Sequence, residues 1–505
     1  MREIIIMKFQ NKSRNPIGQK LTAIIGNKLF KKILFIVPAL LGVGAVFYAL
    51  WLHGVFLPHW ITWNHKTFWD QSGVYEIQLN HKSVQVLHSG NLLWTSPNTI
   101  KVQEALCCDI DNDNTDELIL LCWKIGRFGR HKPFWIEKDE SNWSQHLFVY
   151  ELQDTKVQPK WMSSYIGFQA RTMRTNGETA PAVRLWLTDL DGIVSSWFWD
   201  FWGFTKEKTD VSFTVFGDNL IHEPIYRYGL QQEPTFGFLY ENIQDVIKNS
   251  DIAVLNQETP LTDNPQQYSD YPRFGTPVNV GQAIVDAKFN VVTCATNHIL
   301  DKGSGGVDFT KEFFSSNNIK CLGIQTTDET DYCPYEIITR NGIRFALLNY
   351  TYGTNGIQLP ENTPYMVHRF NSETQIRSDI ALAKQNADFV IVFAHWGTEN
   401  TQQIDDFQRK WTQIFLDCEV DVVVGTHPHA LQPYKILKSD SGHPMLIYYS
   451  IGNYISAQPK ASCIKGGMAA FTVSLTDSGY GITDYSLQPL TITWHKGGKY
   501  STSLN

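Results

Sequence analysis

The chain has 505 residues, a formal charge of −7, and 43% hydrophobic and 18% charged residues. That length is too great for one core and predicts two or three domains. The mild acidic balance excludes an electrostatic case for nucleic acid as a partner, and the composition is that of a globular protein.

The 20 residues ILFIVPALLGVGAVFYALWL, 33–52, carry no charge. As a helix they would cross about 30 Å of hydrocarbon. The segment 1–32 holds Arg2, Lys8, Lys12, Arg14, Lys20, Lys28, Lys31 and Lys32 against Glu3. A basic flank of that kind stays in the cytoplasm. The expectation is a single-pass anchor over 33–57 in the cell membrane, with the bulk of the chain extracytoplasmic. A cleaved signal peptide is the rival reading. It fits less well, because the basic region is long and the apolar run exceeds the usual h-region.

Residues 60–208 read as a mostly β domain. VYEIQL, SVQVL, ELILLCW, HLFVYEL and AVRLWLTDL show the alternation and the β-branched and aromatic content of strands. Many of the 16 tryptophans fall in or beside this region. They serve either a β core or a surface that stacks on sugars or peptides. In DIDNDNTDE, Asp109, Asp111, Asp113 and Glu117 offer alternating hard oxygen ligands, which suits calcium. The loop is not an EF-hand: Asn114 stands where that loop needs Gly, and Leu120 where it needs Glu. It resembles the calcium loops between strands of integrin-type β-propellers, and TDLDG at 188–192 echoes it. The other reading is a polar turn that caps its own backbone. The eight cysteines form no CxxC pair, and the sequence leaves open a bridge from Cys107 or Cys108 to Cys122.

From Val211 the pattern becomes α/β. VSFTVF, IAVLN, VVTCA, FVIVFA and DVVVG each run into a polar cluster. Helical segments are expected near 238–249, 280–287, 307–316, 374–386 and 404–416. Ligands collect at the carboxyl ends of such strands. The clusters hold Asp218, His222, Glu258, Asn297, His298, Asp301, His395, Glu399, His427 and His429. This mixed oxygen and nitrogen set suits Mn, Fe, Zn or Mg. Two such ions can clamp an in-line displacement. His427 and His429, separated by Pro428, point apart and can reach two ions. Singly, Asp218 reads equally well as a helix cap, His298 as a satisfied core imidazole, and His222 as a surface residue. Asp301, Glu399 and Lys302 either support the site or lie on a solvated face.

GD, NQETP, ATNHILDKG, HWGTE, GTHPHALQ and YYSIGNY, in this order, resemble the motif series of the CapA-type poly-γ-glutamate capsule biosynthesis family, over about residues 211–475. That family is itself similar to the calcineurin-like metallophosphoesterases. The resemblance implies a metallophosphoesterase sandwich over 211–490 and two divalent ions. Asp218 and His429 would hold the first ion, Asn297, His395 and His427 the second, with Glu258 bridging. His298 would be the general acid or a phosphate-contacting residue; Asp301, three positions on, is a further catalytic candidate. Arg273 and Phe274 would lie in a substrate-side loop, while Asn453 in SIGNY either forms a turn or lines the site on the substrate side. Thr296 and Thr426 depart from the family's usual Asn and His, and the opening Asp-x-His is absent. Three functions compete: a capsule hydrolase or transferase acting on poly-γ-glutamate or a phosphorylated precursor, with the membrane and other capsule subunits as partners; a secreted small-molecule phosphatase; and a non-catalytic polymer-binding or export subunit.

Overall fold

The computed structural model describes residues 36–129, 132–153, 156–231, 235–495 and 497–505. The segment 1–32 and the first three residues of the expected span lie outside these. The described part of that span is helical over 36–52. Among the described residues no helix is long and apolar enough to cross a membrane. The chain divides into two compact units, one reaching Leu185 and including Phe198–Phe204, the other comprising Trp186–Trp197 and Thr205–Asn505.

The first unit contains two four-stranded antiparallel meanders. His65–Trp69, Tyr75–Asn80, Ser83–His88 and Asn91–Thr95 form one, and Ile100–Cys108, Glu117–Ile125, Trp143–Gln153 and Lys156–Met162 the other. Alternate residues Ile77, Leu79, Val84 and Val86 meet Leu118, Leu120 and Cys122 in a shared core, as the two-residue period of a strand requires. All eight cysteines are free thiols.

The second unit is a sandwich of two sheets between helices. One sheet orders Lys320–Leu322, Val291–Thr293, Ile252–Gln257, Val211–Asn219, Lys465–Thr476, Gly479–Trp494 and Tyr500–Leu504, and Asn453–Ile455 also pairs with Val211–Asn219. The other orders Tyr335–Arg340, Ile343–Thr351, Phe389–His395, Val422–Thr426, Pro444–Tyr448 and Tyr434–Lys438. Strand parity sorts the side chains. Phe213, Val254, Leu347, Ile391 and Val424 fill the space between the sheets. Their neighbours Ala253 and Leu255 face the helices Val278–Ala287 and Gly303–Ser316. Leu348, Val392 and Val423 face Glu373–Asn386 and Asp406–Asp417. Strands buried on both faces explain the unbroken apolar runs.

One expected helix differs. In place of 238–249 there is a 3₁₀ turn, Gly237–Leu239, and a short helix, Gln244–Asn249. Between them Tyr240 is fully packed, its ring stacked on Tyr454 and edge-on to Phe289. That tertiary anchor overrides the helical period.

Candidate metal centre

Every candidate ligand of the second unit sits at or just beyond the carboxyl end of a parallel strand. Asp218 is still within its strand, so the helix-cap reading falls: the following helix begins only at Glu223. A register shift between Phe216 and Asp218 re-aims the carboxylate, as bulges beside sites commonly do. The shift needs Gly217, because a Cβ there would lie 1.9 Å from the Gly452 carbonyl oxygen. Glu258 follows Ile252–Gln257, Asn297 and His298 follow Val291–Thr293, and His395 ends Phe389–His395. His427 and His429 follow Val422–Thr426 with φ of 93° and 57°. Two non-glycine residues in the left-handed region within three positions mark local strain.

The structure brings all six together. Glu258, His395 and His427 present ligand atoms within 4.8 Å of one another, and so do Asp218, Glu258 and His429. Glu258 is the member common to both groups. Asn297 joins the first: its Oδ1 lies 2.9 Å from His395 Nε2. His429 Nδ1 is 2.9 Å from Asp218 Oδ2 and 3.0 Å from Asn453 Oδ1. Asn453 therefore orients His429 from a fully buried position.

The electrostatics fit a cation pair. Glu258 is fully buried, and neither carboxylate oxygen has a hydrogen-bond partner among the described residues, the imidazoles of His395 and His429 standing 3.8 Å from Oε1. Burial first, then the Asp218 charge, push its carboxyl well above the ordinary range. A bare buried carboxylate is costly unless a positive charge meets it. Burial and the neighbouring imidazoles hold His395 and His427 well below the usual histidine value, hence neutral, as ligands must be. His427 Nδ1 also lacks a partner. Burial alone would lower His429, but Glu258 and Asp218 overturn this and raise it to about 9.

His298 holds its Nδ1 2.7 Å from Asp301 Oδ2, which also accepts the Phe274 amide at 2.8 Å. Asp301 is 7% exposed, so it is no solvated residue. Phe274 is 1% exposed, a correction to its place on the substrate side. Its ring packs edge-on to His298 at 4.8 Å and to His222 at 5.3 Å. Arg273 does lie on the exposed surface. His222 Nδ1 rests by Leu220 O and the Ala457 amide, and the ring stands outside both ligand groups. Glu399 is exposed, within reach of His427 and His429, while Lys302 binds Ser269.

Three neighbours escaped the sequence reading. Tyr352 packs its ring, tilted by 39°, against His427 with centroids 4.6 Å apart. Burial, then Glu399 and Glu258, raise its hydroxyl to about 12. Asn355 takes the Asn297 amide N–H at 3.3 Å and approaches His298 Nδ1 at 3.4 Å. The signal was present in FALLNYTYGTNG, an apolar run entering a Gly/Asn turn like the others. Thr426 sets its hydroxyl 3.0 Å from His395 Nδ1, giving a use to a position read only as a departure.

In the first unit the structure groups Asp109, Asp111 and Glu117 but turns Asp113 away. Its carboxylate accepts from the Thr115 amide at 2.8 Å and the Thr115 hydroxyl, because a local turn satisfies it. Lys160 enters the group, 2.5 Å from Asp111 and 2.7 Å from Glu117. A calcium ion there would have to displace this ammonium.

Residues 212–458 match the family model described as Bacterial capsule synthesis protein PGA_cap. This segment is similar to that family. The PGA biosynthesis protein CapA of Bacillus subtilis (strain 168) is 28% identical over 225 residues, 44% of this chain and 57% of that protein. The capsule biosynthesis protein CapA of Bacillus anthracis is 26% identical over 294 residues, 55% of this chain and 67% of that protein. The match thus spans little more than half of the first relative and two thirds of the second. Among solved structures, the calcineurin-like phosphoesterase YfkN from Bacillus subtilis is 15% identical with a TM-score of 0.32, covering 56% of this chain and 90% of that one. The PGA_cap segment contains all six candidate ligands together with His298 and Asp301.

Proposed function

We propose that the PGA_cap domain is a metal-dependent, phosphoesterase-like hydrolase serving capsule formation. Its substrate would be an anionic polymer such as poly-γ-glutamate, or a phosphorylated precursor, met outside the cytoplasm. The observation that carries this reading is Glu258, shared between two ligand groups and without a hydrogen bond among the described residues. The donor set fits Mn, Fe, Zn or Mg. Once bound, a pair of such ions supplies a hydroxide near neutral pH and a clamp for the attacking and leaving oxygens. The chain's own groups do the rest. His298, tied by Nδ1 to Asp301, keeps Nε2 to protonate the leaving oxygen. Asn355 and Thr426 fix the Asn297 amide and the His395 ring. Exposed Arg273 receives negative charge on the substrate. The capsule names of the relatives support this substrate class.

The domain is tethered, on this reading, by the uncharged run 33–52, with 1–32 in the cytoplasm and other capsule subunits as partners. The support is that run together with the apolar surface of the described helix: Leu40, Leu41, Val46 and Phe47 are each more than half exposed. The deciding experiment is metal analysis of the purified chain joined to a panel of phosphoesters and γ-glutamyl polymers. About two divalent ions per chain with turnover of one class is the expected result. A metal-free chain with no turnover overturns it. A reporter at Asn505 that is active only outside the cytoplasm tests the topology.

A further inference from the structure

The helix over 36–52 ends beside a cavity of about 580 Å³. Its apolar walls include Leu52, Ile125 and Trp143, and its cationic ones Lys101 and Lys124. Trp143 joins the cavity to the helix end: its indole N–H donates to Trp51 O at 3.2 Å, and the two rings meet at 6.2 Å. Immediately beyond, Val55 and Phe56 are 53% and 55% exposed.

Lys101 and Lys82 lack a counter-charge, and Lys124 has only Asp139, at a range too long for an ion pair. Lys101 is only 9% exposed, and its ammonium donates to one carbonyl, Asn98 O, at 2.9 Å. Lys124 donates to Phe128 O at 2.6 Å, and Lys82, which acts on Lys101 but does not line the cavity, to Gly54 O at 3.0 Å. Among the described residues none of the three forms an ion pair. Asp139, the acid in the loop beyond Lys124, is engaged by the Arg127 and Glu140 amides. Each ammonium has three donors, and one carbonyl dipole does not neutralise a charge. Burial, and then Lys82, lower the Lys101 pKa, the sign expected of crowded cations without an anion.

We propose that this cavity binds the phosphate headgroup of an anionic lipid. Apolar walls at the foot of an exposed apolar helix suit acyl chains and the glycerol backbone, while Lys101 and Lys124 suit a phosphodiester. The proposal rests on the tethered reading above for its source of lipid, but the site is tested without it.

The test uses the full chain in an uncharged detergent and short-chain phosphatidylglycerol, followed by native mass spectrometry. Short-chain phosphatidylcholine and inorganic phosphate are the comparison arms. Phosphatidylglycerol should be retained at least tenfold better than either, and Lys101→Gln and Lys124→Gln should each lower retention several-fold. Lys124 is only half-buried, so its variant keeps the test readable if Lys101→Gln unfolds. Equal retention of the two lipids, or unchanged retention in folded variants, overturns the proposal. Equal capture of inorganic phosphate overturns the lipid assignment. Selective binding by a chain that fractionates away from membranes would sink the tether and leave the site standing.

Discussion

Asn297 Oδ1 lies 2.9 Å from His395 Nε2, and the amide behind it donates to Asn355. Asn355 thus fixes which end of the Asn297 amide faces the imidazoles. Removing it frees the amide to flip and present N–H₂ toward the ion. Asn355→Ala should weaken one metal position by about 10–100-fold, the usual effect of losing such a support. The Asp218/His429 position should stay filled. Metal titration would then resolve one tight and one weak ion, and two equally tight ions would refute the role.

Glu258→Ala has a wider reach. Its carboxylate belongs to both ligand groups, so neither half-site remains complete. Elemental analysis should show both ions lost, and a variant retaining one at full occupancy would argue against a bridge.

His298→Ala should behave in the opposite way. His298 belongs to neither ligand group and contacts Asp301 and Asn355 instead. Metal content should be unchanged while turnover falls by roughly 10²–10⁴-fold. Normal turnover would assign His298 a structural part only.

The ligands were legible because strand ends are legible. Asp218, Glu258 and His395 each follow a largely apolar run, and a parallel strand buried on both faces produces such runs. What supports them was not legible. Thr426 and Asn355 act through hydrogen bonds between residues 31 and 58 positions apart, and no local pattern encodes those. Lys160 reaches Glu117 across 43 positions, so the sequence left calcium and a self-capping turn as open readings of the loop around Asp109 and offered no sign of the ammonium between its carboxylates. Tyr240 likewise broke a regular helical period through contacts with Phe289 and Tyr454.

The Lys160 contact predicts how that loop responds to calcium. Burial raises Glu117 to about 7, and Lys160 opposes the shift by pairing with it. With the ammonium in place, a chelator should leave the melting temperature unchanged. Lys160→Met leaves Asp111 and Glu117 facing one another, a loss toward the lower end of about 3–5 kcal/mol because the lysine is partly solvated. Millimolar calcium should restore part of that stability in the variant alone. A chelator-sensitive melt of the unaltered chain would mean that the ion displaces Lys160.

His368 gives the second unit an acid sensitivity of its own. It is 5% exposed, with Nε2 3.2 Å from Gln325 Oε1 and Nδ1 without a partner among the described residues. Burial first, then Lys311, lower its pKa to about 3 from the ordinary 6.5. Between those values the unfolded chain binds a proton that the folded chain refuses. Stability is therefore intact above pH 6.5 and falls as the pH drops, by about 1.4 kcal/mol per unit from this group alone. His368→Gln removes the titration while keeping a polar side chain near Gln325. Other buried histidines such as His395 and His427 contribute equally to both proteins, so the difference between them isolates His368. Denaturant melts from pH 7 to pH 4.5 should show the unaltered chain losing stability faster than the variant. Parallel curves would show that the ring takes up a proton in the folded state with no penalty.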